Sequence, residues 1–259
     1  MKRLFYNIIA LVLTVSLVSC MEVDNFDQPE ASIYGRIIDS TTGENYLTDQ
    51  GDVHIRIWEK SYSDNPNPQD LAVKMDGTYN RLHLFAGTYD MLPNDGSWWP
   101  CDTIFDVPIG NKNNATMEFK VTPYLKIKDF KCNLKVAEAD PITGKVAAMD
   151  TIVMSGRLFA PITKNLPQVL EIRPFLNNNQ YCGAANHIDY YYTDTYKINL
   201  RKNWEKLGDV ETGEGNTTYE LKLPVKPGYT YWCRMGANVK DTNQKFNYSE
   251  IVKIEVPLR

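Results

Sequence analysis

Alternation of apolar and polar residues, the pattern of β-strands, recurs along most of the chain. Val53, Ile55 and Ile57 alternate with polar neighbours, which places the three side chains on one face of an extended strand. The same period of two is found in residues 33–38 and 251–256. Turn-forming pairs separate such runs: Thr42-Gly43, Asp76-Gly77, Asp95-Gly96, Thr143-Gly144 and Pro227-Gly228. Short strands between turns predict an all-β fold built from antiparallel β-sandwiches.

One segment has helical spacing instead. Leu200, Trp204 and Leu207 recur three or four residues apart, and Gly208 follows as a typical helix end. The sequence therefore predicts one short helix within residues 198–208.

The first residues have the pattern of an export signal. Lys2 and Arg3 precede an apolar run over residues 8–18, shorter than the ~20 residues that span a bilayer as a helix. The run ends in Leu17-Val18-Ser19-Cys20, which resembles the lipobox of bacterial lipoproteins. That resemblance implies removal of residues 1–19 and acylation of Cys20, so that lipid chains anchor the protein to a membrane. The alternative is an ordinary signal peptide in which the cysteine occurs by chance.

Residues 20–30 are short, acidic and end near Pro29, as expected of a flexible tether. The acidic residues after Cys20 resemble the surface-export signal of Bacteroides-type lipoproteins; a solvated linker explains them equally well.

The composition of the chain argues against some classes of protein. The 259 residues include 28 basic and 32 acidic side chains, a net charge of −4 that argues against nucleic-acid binding. A hydrophobic fraction of 43% with 23% charged residues is typical of a globular protein and excludes wholesale disorder.

The N-terminal part has a recognisable motif series. Residues 35–44 read Gly-Arg-Ile-Ile-Asp-Ser-Thr-Thr-Gly-Glu, and Asp76-Gly77-Thr78-Tyr79 and residues 84–89 follow. The series resembles the carboxypeptidase-regulatory, transthyretin-like sandwich, which implies a first domain over residues 31–122. Pro123 ends one strand ladder before a new apolar run begins.

The C-terminal part resembles another sandwich. Residues 227–237 look like the corner and following strand of fibronectin type III or immunoglobulin-like domains. Tyr231 would be the corner tyrosine, packed and hydrogen-bonded to nearby backbone, with Cys233 two residues later. A conserved immunoglobulin tryptophan has no evident counterpart, which favours a fibronectin-like domain over residues 123–259.

Together these features resemble one family of unknown function among Bacteroides-type outer-membrane lipoproteins of glycan-utilisation loci. The resemblance implies a lipid-anchored, outer-membrane location that faces the cell surface, with the periplasmic face as the alternative. It also implies glycan capture or support of an uptake complex with SusC- and SusD-like partners. It supplies no catalytic residues.

Catalytic motifs are absent from the sequence: there is no Gly-x-Ser-x-Gly elbow, zinc helix, phosphate loop or dinucleotide fingerprint. His54 and His83 alternate with apolar strand residues, and His187 lies in a polar stretch. We therefore expect no enzyme activity, no metal and no cofactor. A hydrolase is the third alternative, since the sequence does not single out a carboxylate pair among 32 acids.

Aromatic residues in a turn give the main candidate ligand site. Trp98 and Trp99 follow Asn94 and Asp95 in a segment that breaks every strand rule. Their indoles are suited to stacking on a sugar ring while Asn94 and Asp95 bind its hydroxyls. The alternatives are that one tryptophan closes the end of the first sandwich, against the second domain, or that the pair is an interface patch.

A second candidate cluster contains consecutive tyrosines. In a strand, Tyr190 and Tyr192 would share one face and Tyr191 the other. Tyr190 and Tyr192 are thus candidate ligand contacts, with core packing as the alternative.

Four cysteines besides Cys20 allow three disulfide pairings, but the domain boundary leaves at most one bridge within a domain. We expect Cys101, Cys132, Cys182 and Cys233 to be free and buried.

The leading hypothesis is a non-catalytic, glycan-binding surface lipoprotein. The alternative is a structural partner of a SusC/SusD-like transporter that binds no ligand itself.

Overall fold

The computed structural model describes residues 28–110 and 114–258. The predicted signal peptide, Cys20 and most of the tether lie outside these residues. Within them the chain forms fifteen β-strands and two single-turn 3₁₀ helices, which confirms the predicted all-β class.

The first domain contains seven strands in two facing sheets. The strands are β1 (Ala31–Asp39), β2 (His54–Glu59), β3 (Pro68–Ala72), β4 (Thr78–Leu84), β5 (Gly87–Asn94), β6 (Ile104–Ile109) and β7 (Asn114–Val121). One sheet has the order β4-β1-β7 and the other β3-β2-β5-β6. All pairs are antiparallel except β1 and β7, which run parallel.

Alternation explains how these strands pack. Ile55 and Ile57 of β2 are fully buried, whereas His54 and Arg56 lie on the opposite, more exposed face. The core between the sheets also includes Ile33, Ile37, Tyr79, Tyr89, Met91 and Phe119.

The second domain is a sandwich of eight strands. The strands are β8 (Lys126–Lys135), β9 (Asp150–Phe159), β10 (Val169–Asn177), β11 (Ile198–Lys202), β12 (Glu214–Val225), β13 (Thr230–Val239), β14 (Phe246–Tyr248) and β15 (Val252–Glu255). One sheet has the order β12-β9-β8. The other has the order β11-β10-β13, and β14 and β15 pair with different parts of β13.

The predicted tyrosine corner is confirmed. Tyr231 is buried at the start of β13, and its hydroxyl accepts a hydrogen bond from the Lys226 backbone N–H at 3.3 Å. This bond closes the connection between β12 and β13, as in other sandwich domains.

The predicted helix over residues 198–208 is wrong. Ile198 opens β11 and pairs with Ile172, and only Trp204–Lys206 form a single 3₁₀ turn. Trp204 is buried there, and its Nε1 donates to the Asp209 carbonyl at 3.1 Å. The apolar spacing arose from a strand followed by a turn, because pairing with β10 outweighs the local periodicity.

The four cysteines within the described residues are free, as expected. The expected burial is confirmed for Cys182 and Cys233 but is wrong for Cys101 and Cys132, which are half-buried. Burial raises the pKa of Cys182 to about 12, so its thiol stays protonated and unreactive.

Within the described part of the chain, no helix has the length and apolar composition required to cross a membrane.

Candidate functional site

The loop that carries the two tryptophans begins where β5 ends and is fixed to the connection between the domains. The Trp99 N–H donates to the Thr122 carbonyl at 2.9 Å, and the Tyr124 N–H donates to the Ser97 carbonyl at 3.2 Å. Trp98 forms an isolated β-bridge with Pro123. The loop therefore lies between the two sandwiches, and its backbone is bonded to the segment that connects them.

Trp98 is a core residue. Its side chain is 6% exposed within the first sandwich and meets the Tyr46 ring edge-on, with 5.0 Å between centroids. Gly96 permits this position, because a Cβ there would overlap the indole ring. Packing is thus the alternative that describes Trp98, and its ring does not offer an exposed face for stacking.

Trp99 points to the other domain. It is half-buried against the core of the second sandwich and meets Tyr124 edge-on at 5.2 Å. Its buried indole Nε1 has no hydrogen-bond partner among the described residues. Trp98 therefore packs in the first domain and Trp99 against the second, so the two indoles do not form one aromatic platform.

A cleft of about 260 Å³ opens beside this loop, between the domains. Asn94, Asp95 and one edge of Trp98 line it from the first domain. From the second domain come Tyr124 and residues 241–243, which form the turn between β13 and β14. The cleft thus combines amide, carboxylate and hydroxyl groups with the small exposed parts of two largely buried aromatic rings, Trp98 and Tyr124.

The two carboxylates that line the cleft, Asp95 and Asp241, have different surroundings. Burial raises the pKa of the Asp241 carboxyl above its ordinary value, and this carboxylate also accepts the Gln244 N–H. Asp95 has a positive φ of 66°, and its carboxylate lies 3.5 Å from the Nδ1 of His54. Asp95 and Asp241 give the cleft acceptors for hydroxyl donors.

The tyrosine cluster lies on a 3₁₀ turn rather than on a strand, so the predicted alternation is wrong. Tyr190 is exposed and hydrogen-bonds the Tyr196 hydroxyl at 3.1 Å, whereas Tyr191 is buried. Tyr192 is half-buried, with the Arg173 guanidinium 4.3 Å and the His187 ring 4.0 Å from its ring centroid. Neither Tyr190 nor Tyr192 lines the cleft.

The buried side-chain amide of Asn247 forms hydrogen bonds with residues of both domains. The Asn247 Oδ1 accepts from the Ser97 hydroxyl at 2.9 Å and from the Leu125 N–H at 3.0 Å. Its Nδ2 donates to the Ser97 carbonyl at 2.8 Å and to the Tyr46 hydroxyl at 3.1 Å. One side chain of β14 thereby fixes the tryptophan loop, the domain connection and a residue of the first core.

Profiles of one protein family match most of this two-domain chain. The N-terminal domain of a protein of unknown function, DUF3823, matches residues 31–122, and the domain of unknown function DUF3823_C matches residues 145–253. The chain belongs to the DUF3823 family. No protein of curated function matches it.

Solved structures show the DUF3823 fold. A Bacteroides uniformis protein described as a candidate carbohydrate-binding protein is 22% identical with a TM-score of 0.66, covering 88% of this chain and all of its own. A DUF3823 protein of the same organism is 20% identical with a TM-score of 0.66, and one from Parabacteroides merdae is 19% identical with a TM-score of 0.60. Both have the same coverage. At these identities the likeness shows the fold alone.

A buried ion pair also joins the two DUF3823 domains. Asp49, fully buried in the first domain, accepts the Ala185 N–H at 2.6 Å and the Asn186 amide at 3.2 Å. Arg234 of β13 is 1% exposed, donates to the Thr48 carbonyl at 2.7 Å and lies 3.8 Å from the Asp49 carboxylate. This contact couples the two domains.

Among the described residues, no group of three or more His, Cys, Asp or Glu side chains is arranged to hold a metal ion. His54 and His187 each have one carboxylate near, and His83 is exposed with a positive φ of 64°.

Sequence reasoning missed the second side of the cleft. Residues 241–243 read Asp-Thr-Asn, which predicts a polar turn but gives no sign of a ligand site. Their partnership with Asn94 arises only because β5 and β13 end at the same interdomain crevice.

Proposed function

We propose that this DUF3823 protein is a non-catalytic, carbohydrate-binding lipoprotein that holds a glycan in the cleft between Asn94 and residues 241–243. The observation that carries the proposal is the composition of the cleft wall. Sugars present donor and acceptor hydroxyls around an apolar ring face, so their sites need both kinds of polar group beside an aromatic or aliphatic surface.

The side chains of the cleft meet that requirement. The amides of Asn94 and Asn243 supply donors and acceptors, and the carboxylates of Asp95 and Asp241 supply acceptors. Pro100 supplies an apolar surface, to which the largely buried Trp98 adds only its small exposed part. At about 260 Å³ the cleft suits a single sugar residue, such as a chain end or branch.

Similarity to known proteins supports the ligand class. The Bacteroides uniformis protein described as a candidate carbohydrate-binding protein shares this fold over 88% of the chain. Neither matching family profile has a stated catalytic function, which agrees with a binding role.

Titration calorimetry of the purified protein against a broad panel of oligosaccharides tests this function. Asn94→Ala and Asn243→Ala should each weaken binding by roughly tenfold, the equivalent of one hydrogen bond of about 1.4 kcal/mol. The matched control is Asn199→Ala, an exposed amide on β11 away from the cleft, which should leave affinity unchanged.

Three results would contradict the proposal. One is the absence of binding across the panel, and another is equal affinity of the cleft variants and Asn199→Ala. The third is release of reducing ends that stops in Asp95→Asn or Asp241→Asn, which would indicate a hydrolase instead.

The lipid anchor is the second part of the proposal. Acylation of Cys20 would place the protein at the outer membrane, facing the cell surface, where large glycans are captured. Mass spectrometry of the membrane-extracted protein should find acyl chains on an N-terminal Cys20, and Cys20→Ala should abolish both the acylation and the removal of residues 1–19.

A further inference from the structure

Apolar side chains are exposed at the end of the first sandwich where β1 and β5 begin. Tyr62, Leu82 and Phe85 are 53%, 61% and 41% exposed. The Tyr62 and Phe85 rings meet edge-on with 6.2 Å between centroids, and the Tyr62 hydroxyl donates to the Ala86 carbonyl at 3.3 Å. These contacts hold the two rings together on the surface, and we call the three residues the apolar end.

The chain enters the sandwich at this same end. Ala31, the first residue of β1, pairs with Leu84, directly before Phe85. Residues 21–30 separate Cys20 from this strand and span at most about 35 Å even when fully extended. A lipid on Cys20 would therefore keep the apolar end near the bilayer surface.

We propose that the apolar end docks on the lipid bilayer, with Tyr62 and Phe85 in the headgroup region. This inference rests on the proposed acylation of Cys20. Aromatic residues favour the membrane interface because their rings combine apolar area with a polar or polarisable edge. Clustered apolar side chains on a soluble domain mark an interaction surface.

The charges nearby indicate which force holds the contact. Lys60 is paired with Asp90 and Asp106. Arg81, next to Leu82, and Asp64, in the same loop as Tyr62, are both exposed, so the acids still outnumber the bases. These groups provide no positive surplus for anionic lipids, so docking depends on burial of the rings and should be insensitive to salt.

Docking would orient the proposed glycan cleft. β5 begins beside the apolar end at Gly87 and finishes at Asn94 in the cleft wall, about 25 Å farther along the strand. The cleft would thus be held away from the lipid, facing the medium.

Fluorescence quenching in vesicles tests the docking. The full-length lipidated protein is reconstituted in phosphatidylcholine and phosphatidylethanolamine vesicles that carry bromine on the acyl chains. Tyr62→Trp and Tyr229→Trp are compared with the parent protein. Tyr229 is the matched control, because it is 56% exposed in the turn between β12 and β13 of the other domain.

The emission that Tyr62→Trp adds to that of the parent should fall by roughly twofold, as expected for an indole in the interface, and should stay quenched in high salt. Tyr229→Trp should keep its added emission. Phe85→Trp should behave as Tyr62→Trp does.

Two outcomes would overturn the inference in different ways. If the protein floats with the vesicles but Tyr62→Trp and Phe85→Trp are no more quenched than Tyr229→Trp, the apolar end faces water or a protein partner. If the protein does not float, the anchor and the docking are both wrong. Glycan binding is measured on the protein without vesicles, so neither outcome affects it.

Discussion

At the scale of single residues, two identical neighbours have different structural roles. Trp98 fills the first core and Trp99 packs on the second, because the loop backbone is held against the domain connection between them. The sequence singled out this loop by its two tryptophans, but it did not show which domain each indole packs against. Side-chain burial there depends on partners such as Tyr46 and Tyr124, which are distant in the chain.

Asn247 is the residue on which most of the interdomain hydrogen bonding at this loop converges. Asn247→Ala removes four hydrogen bonds and leaves buried donors such as the Leu125 N–H without a partner. We expect a loss of about 2–4 kcal/mol in the free energy of unfolding, measured by chemical denaturation. The exposed Asn199→Ala should stay within about 0.5 kcal/mol of the parent. Equal stability of the two variants would show that the network contributes little.

At the scale of strands and turns, local patterns were informative where one face of a strand is buried. β2 and the tyrosine corner at Tyr231 follow the sequence prediction. The errors occurred at residues 198–208 and at Tyr190, where short irregular segments connect β10, β11 and β12. Spacing over one or two turns cannot distinguish a helix from a strand followed by a turn, and tertiary pairing decides.

A charged cluster links β10 to the start of β11 and predicts acid sensitivity. Burial alone would raise the pKa of Glu171, but hydrogen bonds from Arg173 and Lys197 hold it below its ordinary value of 4.5. A lowered pKa in the folded state means that this carboxylate stabilises the protein above about pH 4.5. The stabilisation is lost as the pH falls through the folded-state pKa.

Glu171→Gln should therefore lower the free energy of unfolding by about 1–3 kcal/mol at pH 7, since the buried Arg173 and the half-buried Lys197 lose one charged acceptor. The difference from the parent should shrink at pH 3. Glu220→Gln, which alters an exposed pair with Lys222, serves as the control and should change little at either pH. A difference that is constant with pH would refute the assignment.

At the scale of the whole molecule, buried polar contacts join the two sandwiches. Leu47 from the first domain packs on a small cluster around Phe175 and Tyr248, and the Arg234 guanidinium lies 3.6 Å from the Tyr248 ring centroid. Burial lowers the pKa of Arg234, which shows the cost of placing this cation between domains. Asp49 offsets that cost across the interface.

We expect removal of Asp49 to uncouple the unfolding of the two domains. Asp49→Ala leaves the Arg234 charge buried without its carboxylate, a loss of about 3–5 kcal/mol. We expect scanning calorimetry to show two transitions where the parent shows one. Asp49→Ala with Arg234→Met should recover part of the stability, because the buried charge is removed as well. A single unchanged transition in Asp49→Ala would contradict this coupling.

Local alternation and short motifs were enough to predict the all-β class and the corner tyrosine, and the position of the domain boundary favoured free cysteines. The sequence also pointed to Asn94 and Asp95. Tertiary packing alone buries Trp98, brings residues 241–243 to the cleft and places Asp49 beside Arg234. These contacts join positions far apart in the chain, and their existence depends on how two complete sandwiches pack, which no local pattern encodes.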